Sequence, residues 1–120
     1  MTEYAPLFPE GPYTSTASAD ITAGQVLVAS GNDTVAPSGG ASIAYAGIAA
    51  FDAKSGETVT VLNGGVHILG ASGSIAAGAV VTTAASGKVA DIAAGTTYDQ
   101  AIGVALSAAA SNLVKVRLFR

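Results

Sequence analysis

Asp20-Ile21-Thr22-Ala23-Gly24-Gln25-Val26 returns 54 residues later as Ser74-Ile75-Ala76-Ala77-Gly78-Ala79-Val80. Ile-x-Ala-Gly-x-Val reads as a turn entering a strand: the Ile anchors, the Gly permits a positive φ, and an apolar run follows. The same offset aligns Val35-Ala36 with Val89-Ala90. Ala46-Gly47-Ile48-Ala49 then matches Ile102-Gly103-Val104-Ala105 at an offset of 56, and Val59-Thr60-Val61 matches Val114-Lys115-Val116 at 55. Four matches in one order, drifting by two residues, define two similar units, 19–62 and 73–119. The competing explanation is chance similarity in an Ala/Val/Gly-rich chain.

The units consist of short β-prone runs separated by Gly, Ser, Asn and Asp. Thr58–Leu62 alternates strictly, with Val59 and Val61 opposite Thr58 and Thr60, the pattern of a half-buried strand. Asn63-Gly64-Gly65 follows, then Val66–Leu69, and Asn-Gly between two such runs predicts a hairpin. In Asn112–Phe119, Val114, Val116 and Leu118 alternate against Leu113, Lys115, Arg117 and Phe119. Gly47 and Gly103 lie inside β-prone runs, where glycine marks a bulge or bend. Strands that bend midway let a small sheet fold over itself. The expected fold is all-β, a small β-barrel or β-clip-like domain spanning 19–120 and built from two similar units. The Ala-rich stretches add at most one short helical turn near Ser107–Ser111.

Residues 1–18 differ in composition. They hold Pro6, Pro9 and Pro12 at every third position, together with Tyr4, Phe8 and Tyr13. That spacing suits an extended, polyproline-like arm, and prolines withhold the donors a central strand needs. Disordered tails are poor in aromatics, whereas this segment concentrates them. The arm is therefore read as a docking segment with Tyr4, Leu7, Phe8 and Tyr13 as its anchors. Lys115, Arg117 and Arg120, three of the five basic residues, gather at the other end and form a second candidate interface; the alternative is a solvated strand face.

Composition narrows the chemistry. The 120 residues carry 5 Lys+Arg against 8 Asp+Glu, a net charge of −3, with no Cys and one His. Zero Cys excludes disulfides, thiolate catalysis and Cys-ligated zinc. The charge balance provides no phosphate-neutralising surface for nucleic acid. Gly, Ser, Thr or a charge interrupts every apolar run, so no transmembrane segment is expected, and Met1–Tyr4 has no basic cluster of a signal peptide. Only 6% of residues are aromatic, so the core must be built from small aliphatic side chains. Such a core is thin, which favours oligomerisation or docking on a partner.

Motifs for catalysis fail one by one. Gly87-Lys88 lacks the earlier Gly and the following Ser or Thr of a phosphate loop, since Thr82 and Val89 stand there. His67 lies between Val66 and Ile68 and is read as pointing away from their face, a sheet-surface or interface His. The eight acids are scattered and suit turn capping. Asn32-Asp33-Thr34 fits a turn better than a glycosylation site. No enzyme, cofactor or metal site is expected.

Several stretches taken in order carry a likeness: Ile21–Val28, Ala46–Val61, the Gly64-Gly65 turn into Val66–Leu69, Ser74–Val81, Ala101–Leu106 and Val114–Leu118. Over about residues 19–118 the chain resembles the small capsid decoration (cement) proteins of tailed bacteriophages; the arm is not matched. The resemblance implies a β-barrel or β-clip-like fold and a structural, non-catalytic role. It implies a position on the outer capsid surface of the virion after synthesis in the host cytoplasm, often as a homotrimer at threefold or quasi-threefold positions. The implied partner is the major capsid protein, with no nucleic acid and no membrane. Two other classes stay open: a tail or spike module, which usually carries fibrous repeats, and a carbohydrate- or surface-binding β-module. The latter would favour exposed aromatics, of which the body has only Tyr45, Phe51, Tyr98 and Phe119.

Overall fold

In the computed structural model, which describes residues 11–93 and 98–120, the β-prone runs become strands. These are β1 (Tyr13–Ala17), β2 (Val26–Gly31), β3 (Thr34–Pro37), β4 (Tyr45–Ala49) and β5 (Thr58–Leu62). The second half adds β6 (Gly65–Gly70), β7 (Val80–Ala84), β8 (Lys88–Asp91), β9 (Ala101–Ala105) and β10 (Leu113–Leu118). A 3₁₀ turn, Tyr98–Gln100, precedes β9. The first five strands form a closed barrel in the order β1-β3-β2-β4-β5. The last five form a sheet in the order β6-β10-β9-β7-β8. Read round the closed barrel the other way, through the β1–β5 pairing, the first order is β1-β5-β4-β2-β3, which matches β6-β10-β9-β7-β8 strand for strand, so the two units share one topology.

The repeat holds bond by bond. Gly24 N–H donates to Ala49 O at 2.9 Å, and Gly78 N–H to Ala105 O at 2.7 Å. Ile21 accepts from Ala53 at 3.0 Å, as Ile75 does from Ala109 at 2.9 Å. Ser38 N–H reaches Val26 O at 2.9 Å, and Ile92 N–H reaches Val80 O at 3.0 Å. Parallel pairing of β1 with β3 at Ala17 and Val35 closes the barrel. Its counterpart is a parallel bridge between Ala71 and Val89, which draws the edges of the second sheet together.

Three expectations are corrected. First, Tyr13–Ala17 is a barrel strand and not part of an arm, because it fills the gap between β5 and β3. The first unit therefore begins before residue 19, and residues 1–10 of the expected arm lie outside the described residues. Second, Asn63-Gly64-Gly65 makes no hairpin. Both edges of β5 are taken by β1 and β4, so the chain crosses to the second sheet, where β6 pairs with β10. Third, Ser107–Ser111 is not helical: Ser111 and Asn112 turn with φ of 52° and 61°, and the chain re-enters at Leu113. The alternation in β10 is as expected, with Val114, Val116 and Leu118 buried.

The inward faces form two small-residue cores. Leu27, Val35, Val59 and Val61 fill the barrel with Ala17, Ala49 and Ala53. Val81, Val89, Val114 and Val116 fill the second unit with Leu69, Ile75 and Ile102. Val26 and Ile48 face outward from the barrel yet are 0% and 2% exposed, since they pack into the second unit's core. A polar seam flanks this contact. Val26 N–H donates to Gly87 O at 2.8 Å, and Gly87 N–H to Ser38 O at 3.0 Å. The buried Ser38 hydroxyl donates to Ala84 O at 2.6 Å, and Thr83 Oγ1 to Gly40 O at 2.7 Å. Burying these groups requires such partners, so the seam fixes one arrangement of the units.

Both glycine bends appear where expected. The β2–β4 register slips opposite Gly47, and the β7–β9 register slips opposite Gly103. Close approach explains the residue type. A Cβ at Gly47 would overlap Val61 Cγ1 and lie 2.5 Å from Leu62 O, and one at Gly103 would lie 2.6 Å from Arg117 O.

Candidate docking surfaces

Tyr4, Leu7 and Phe8 lie outside the described residues. Tyr13 lies within β1, half-buried against the barrel core, and its phenol donates to Ala46 O at 2.9 Å. Burial pushes its pKa up. Its position suits anchoring of the first strand to the body.

Lys115 and Arg117 point outward from β10, as alternation requires. In register with them on β6 are Ile68 and Val66, which are 57% and 54% exposed. On β9, Val104 pairs with Arg117, and Leu106 N–H donates to Lys115 O at 2.7 Å. Two cations thus stand in rows flanked by apolar side chains. The outward direction of Val66 and Ile68 escaped the sequence reading, because two apolar residues beside a turn read as a core face. His67 is the inward residue between them, half-buried, with Nε2–H donating to Gly64 O at 2.8 Å, and not a sheet-surface residue.

Arg120 is separate from that pair. Its guanidinium donates to Asp99 O at 3.2 Å and Ile43 O at 3.0 Å, and it lies 5.6 Å from the centre of the Tyr45 ring. It therefore ties the second unit to the first. The Tyr45 hydroxyl is buried without a hydrogen-bond partner among the described residues. Burial pushes its pKa up to about 12, against the pull of Arg120 and with a smaller push from Tyr13. The unfolded chain releases this proton near pH 10, the folded one two units later, so stability is lost as pH climbs from 10 towards 12. Tyr45→Phe is expected to leave stability at pH 8 within about 1 kcal/mol and to reduce the loss at pH 11.5 by about 2 kcal/mol. Denaturant titrations at pH 8 and pH 11.5 measure both.

Three acids of the first unit accept from backbone N–H groups of turns. Asp52 accepts from Ala23 N–H at 2.7 Å, Asp20 from Ser55 N–H at 3.0 Å and Glu57 from Lys54 N–H at 2.7 Å. They surround an open concavity of about 450 Å³ on the barrel, where Lys54 lies 3.9 Å from Asp20. Among the described residues, no three His, Asp or Glu side chains converge as metal ligands.

Against known proteins, a family model described as phage cement protein matches residues 10–118. No curated protein matches. Among solved structures, the head fiber gp8.5 N base of bacteriophage phi29 superposes with a TM-score of 0.68 at 20% identity. The match covers 89% of this chain and 92% of that one, and at this identity it establishes likeness of fold.

Proposed function

The chain belongs to the phage cement protein family, and from that premise we propose that it binds the outer surface of a phage capsid and stabilises the lattice of the major capsid protein. The family match carries this reading, because residues 10–118 take in all ten described strands. The protein acts as a homotrimer at threefold or quasi-threefold positions of the virion after synthesis in the host cytoplasm. It is structural and not enzymatic, and needs no cofactor. Tyr4, Leu7 and Phe8 supply apolar anchors ahead of the barrel, in the manner of extended-peptide recognition. Many copies on one shell give avidity, so each contact can be modest.

Co-sedimentation with undecorated capsids of the matching phage tests the reading. The expected result is saturable binding at a fixed number of copies per capsid subunit, together with a higher temperature of capsid disruption. Protein that stays in the supernatant at every ratio would overturn it.

A further inference from the structure

Because the two units share one topology, each outward residue has a register-matched counterpart, and differences between counterparts report what each face meets. In the barrel, Ile48 and Leu62 form an outward row that packs on the second unit's core. In the counterpart row, Val104, Arg117 and Val66, Val104 is half-buried, while Arg117 and Val66 are exposed, Val66 to 54%. The next row is Ala50, Thr60 and Thr14 in the barrel, small and hydroxylated. In the second unit it is Leu106, Lys115 and Ile68, with Leu106 47% and Ile68 57% exposed. One unit therefore dresses this row for water, while the other flanks its cations with apolar groups, the composition of an interface.

Charge identifies the occupant. Residues 11–62 hold Asp20, Asp33, Asp52 and Glu57 against Lys54, four acids and one base, for a net −3. Residues 65–120 hold Asp91 and Asp99 against Lys88, Lys115, Arg117 and Arg120, two acids and four bases, for a net +2. The molecule is polar from unit to unit, so its own first barrel is complementary to this face.

We propose that the face formed by Val66, Ile68, Val104, Leu106, Lys115 and Arg117 binds the acidic first barrel of a second copy of this chain, joining copies head to tail. The contact is heterologous, so it generates a ring when the rotation closes. The proposal deepens the self-association proposed above and rests on it.

Sedimentation velocity on the full chain is the test. Wild type is expected to sediment as an assembled species that loosens as salt is raised. Lys115→Glu/Arg117→Glu should shift it to monomer, with association weakened at least about tenfold and an unchanged far-UV spectrum. Val66→Thr/Ile68→Thr, which installs threonines like those of the barrel, should do the same. Carbodiimide coupling of mixed isotope-labelled and unlabelled wild type should join Lys115 of one copy to Asp20, Asp33, Asp52 or Glu57 of another. A monomeric wild type, unaltered assembly in both variants, or inter-copy links that avoid Lys115 would each overturn the proposal. If both variants stay assembled but no longer co-sediment with capsids, the face belongs to the capsid: the head-to-tail contact falls and the cement reading stands. If the variants dissociate while wild type fails to co-sediment, the cement reading falls and the head-to-tail contact stands.

Discussion

A chain that begins at Ala19 is expected to lose the first barrel, whereas one that begins at Gly11 keeps it. Removing residues 1–18 deletes β1 and leaves the edges of β3 and β5 unpaired. Val59 and Val61, both 0% exposed, would meet water along with the site vacated by Ala17. Full burial of one valine stabilises by about 1.5–3 kcal/mol, and a small domain has only about 5–15 kcal/mol in total. The longer deletion should therefore abolish the cooperative melting transition of the first unit. The shorter one, lacking residues 1–10, should melt within a few degrees of the full chain. On capsids the shorter deletion should still bind at least about tenfold more weakly, as expected for removal of apolar anchors. Unchanged capsid binding by the chain starting at Gly11 would remove Tyr4, Leu7 and Phe8 from the interface. Full cooperativity in the chain starting at Ala19 would contradict the role given to β1.

The two bend glycines should be among the least replaceable residues, and they should differ from each other in a predictable way. At Gly103 the backbone lies outside the left-handed region, so alanine there suffers only from contact with Arg117 O and with Val116 Cγ1 at 2.8 Å. At Gly47 the crowding is similar, but φ is 147°, a conformation that side chains resist. Gly103→Ala is expected to cost about 3 kcal/mol, within the range of overpacked sites, and Gly47→Ala about 1 kcal/mol more. Neither neighbouring carbonyl can retreat without breaking the ladder it belongs to. Urea unfolding of the two single variants measures the difference. Equal losses would show that the strand at Gly47 relaxes out of its conformation.

These positions also show what the sequence made legible. Gly47 and Gly103 stand at matched points of the repeat because each unit bends a strand over its own core there, a local need that leaves a local mark. The Ile21 and Ile75 turns are visible for the same reason. The extent of the units was hidden. Tyr13–Ala17 and Gly65–Gly70 are counterparts, but their sequences, YTSTA and GVHILG, share no residue pattern. Their equivalence exists only in pairing with strands more than 40 residues away: Tyr13 opposite Val61, His67 opposite Val116. The hairpin expected at Asn63-Gly64-Gly65 failed likewise, since local turn chemistry cannot report that β5 has no free edge. For the docking surfaces, alternation alone placed Lys115 and Arg117 outside. Nothing local separates Arg120 from them, and its part in joining the units depends on Ile43 and Tyr45, more than 70 residues earlier.

The packing of Val26 and Ile48 into the second unit has a consequence in time. All strands of the first barrel are available once residue 62 has left the ribosome, so it can close while the rest of the chain is being made. Until β7, β9 and β10 follow, those two side chains stand uncovered on its outer wall. At about 5–20 residues per second, the remaining half of the chain takes several seconds to arrive. The nascent barrel is thus a folded body with an apolar window, and chaperone binding or premature self-contact would be concentrated in that interval.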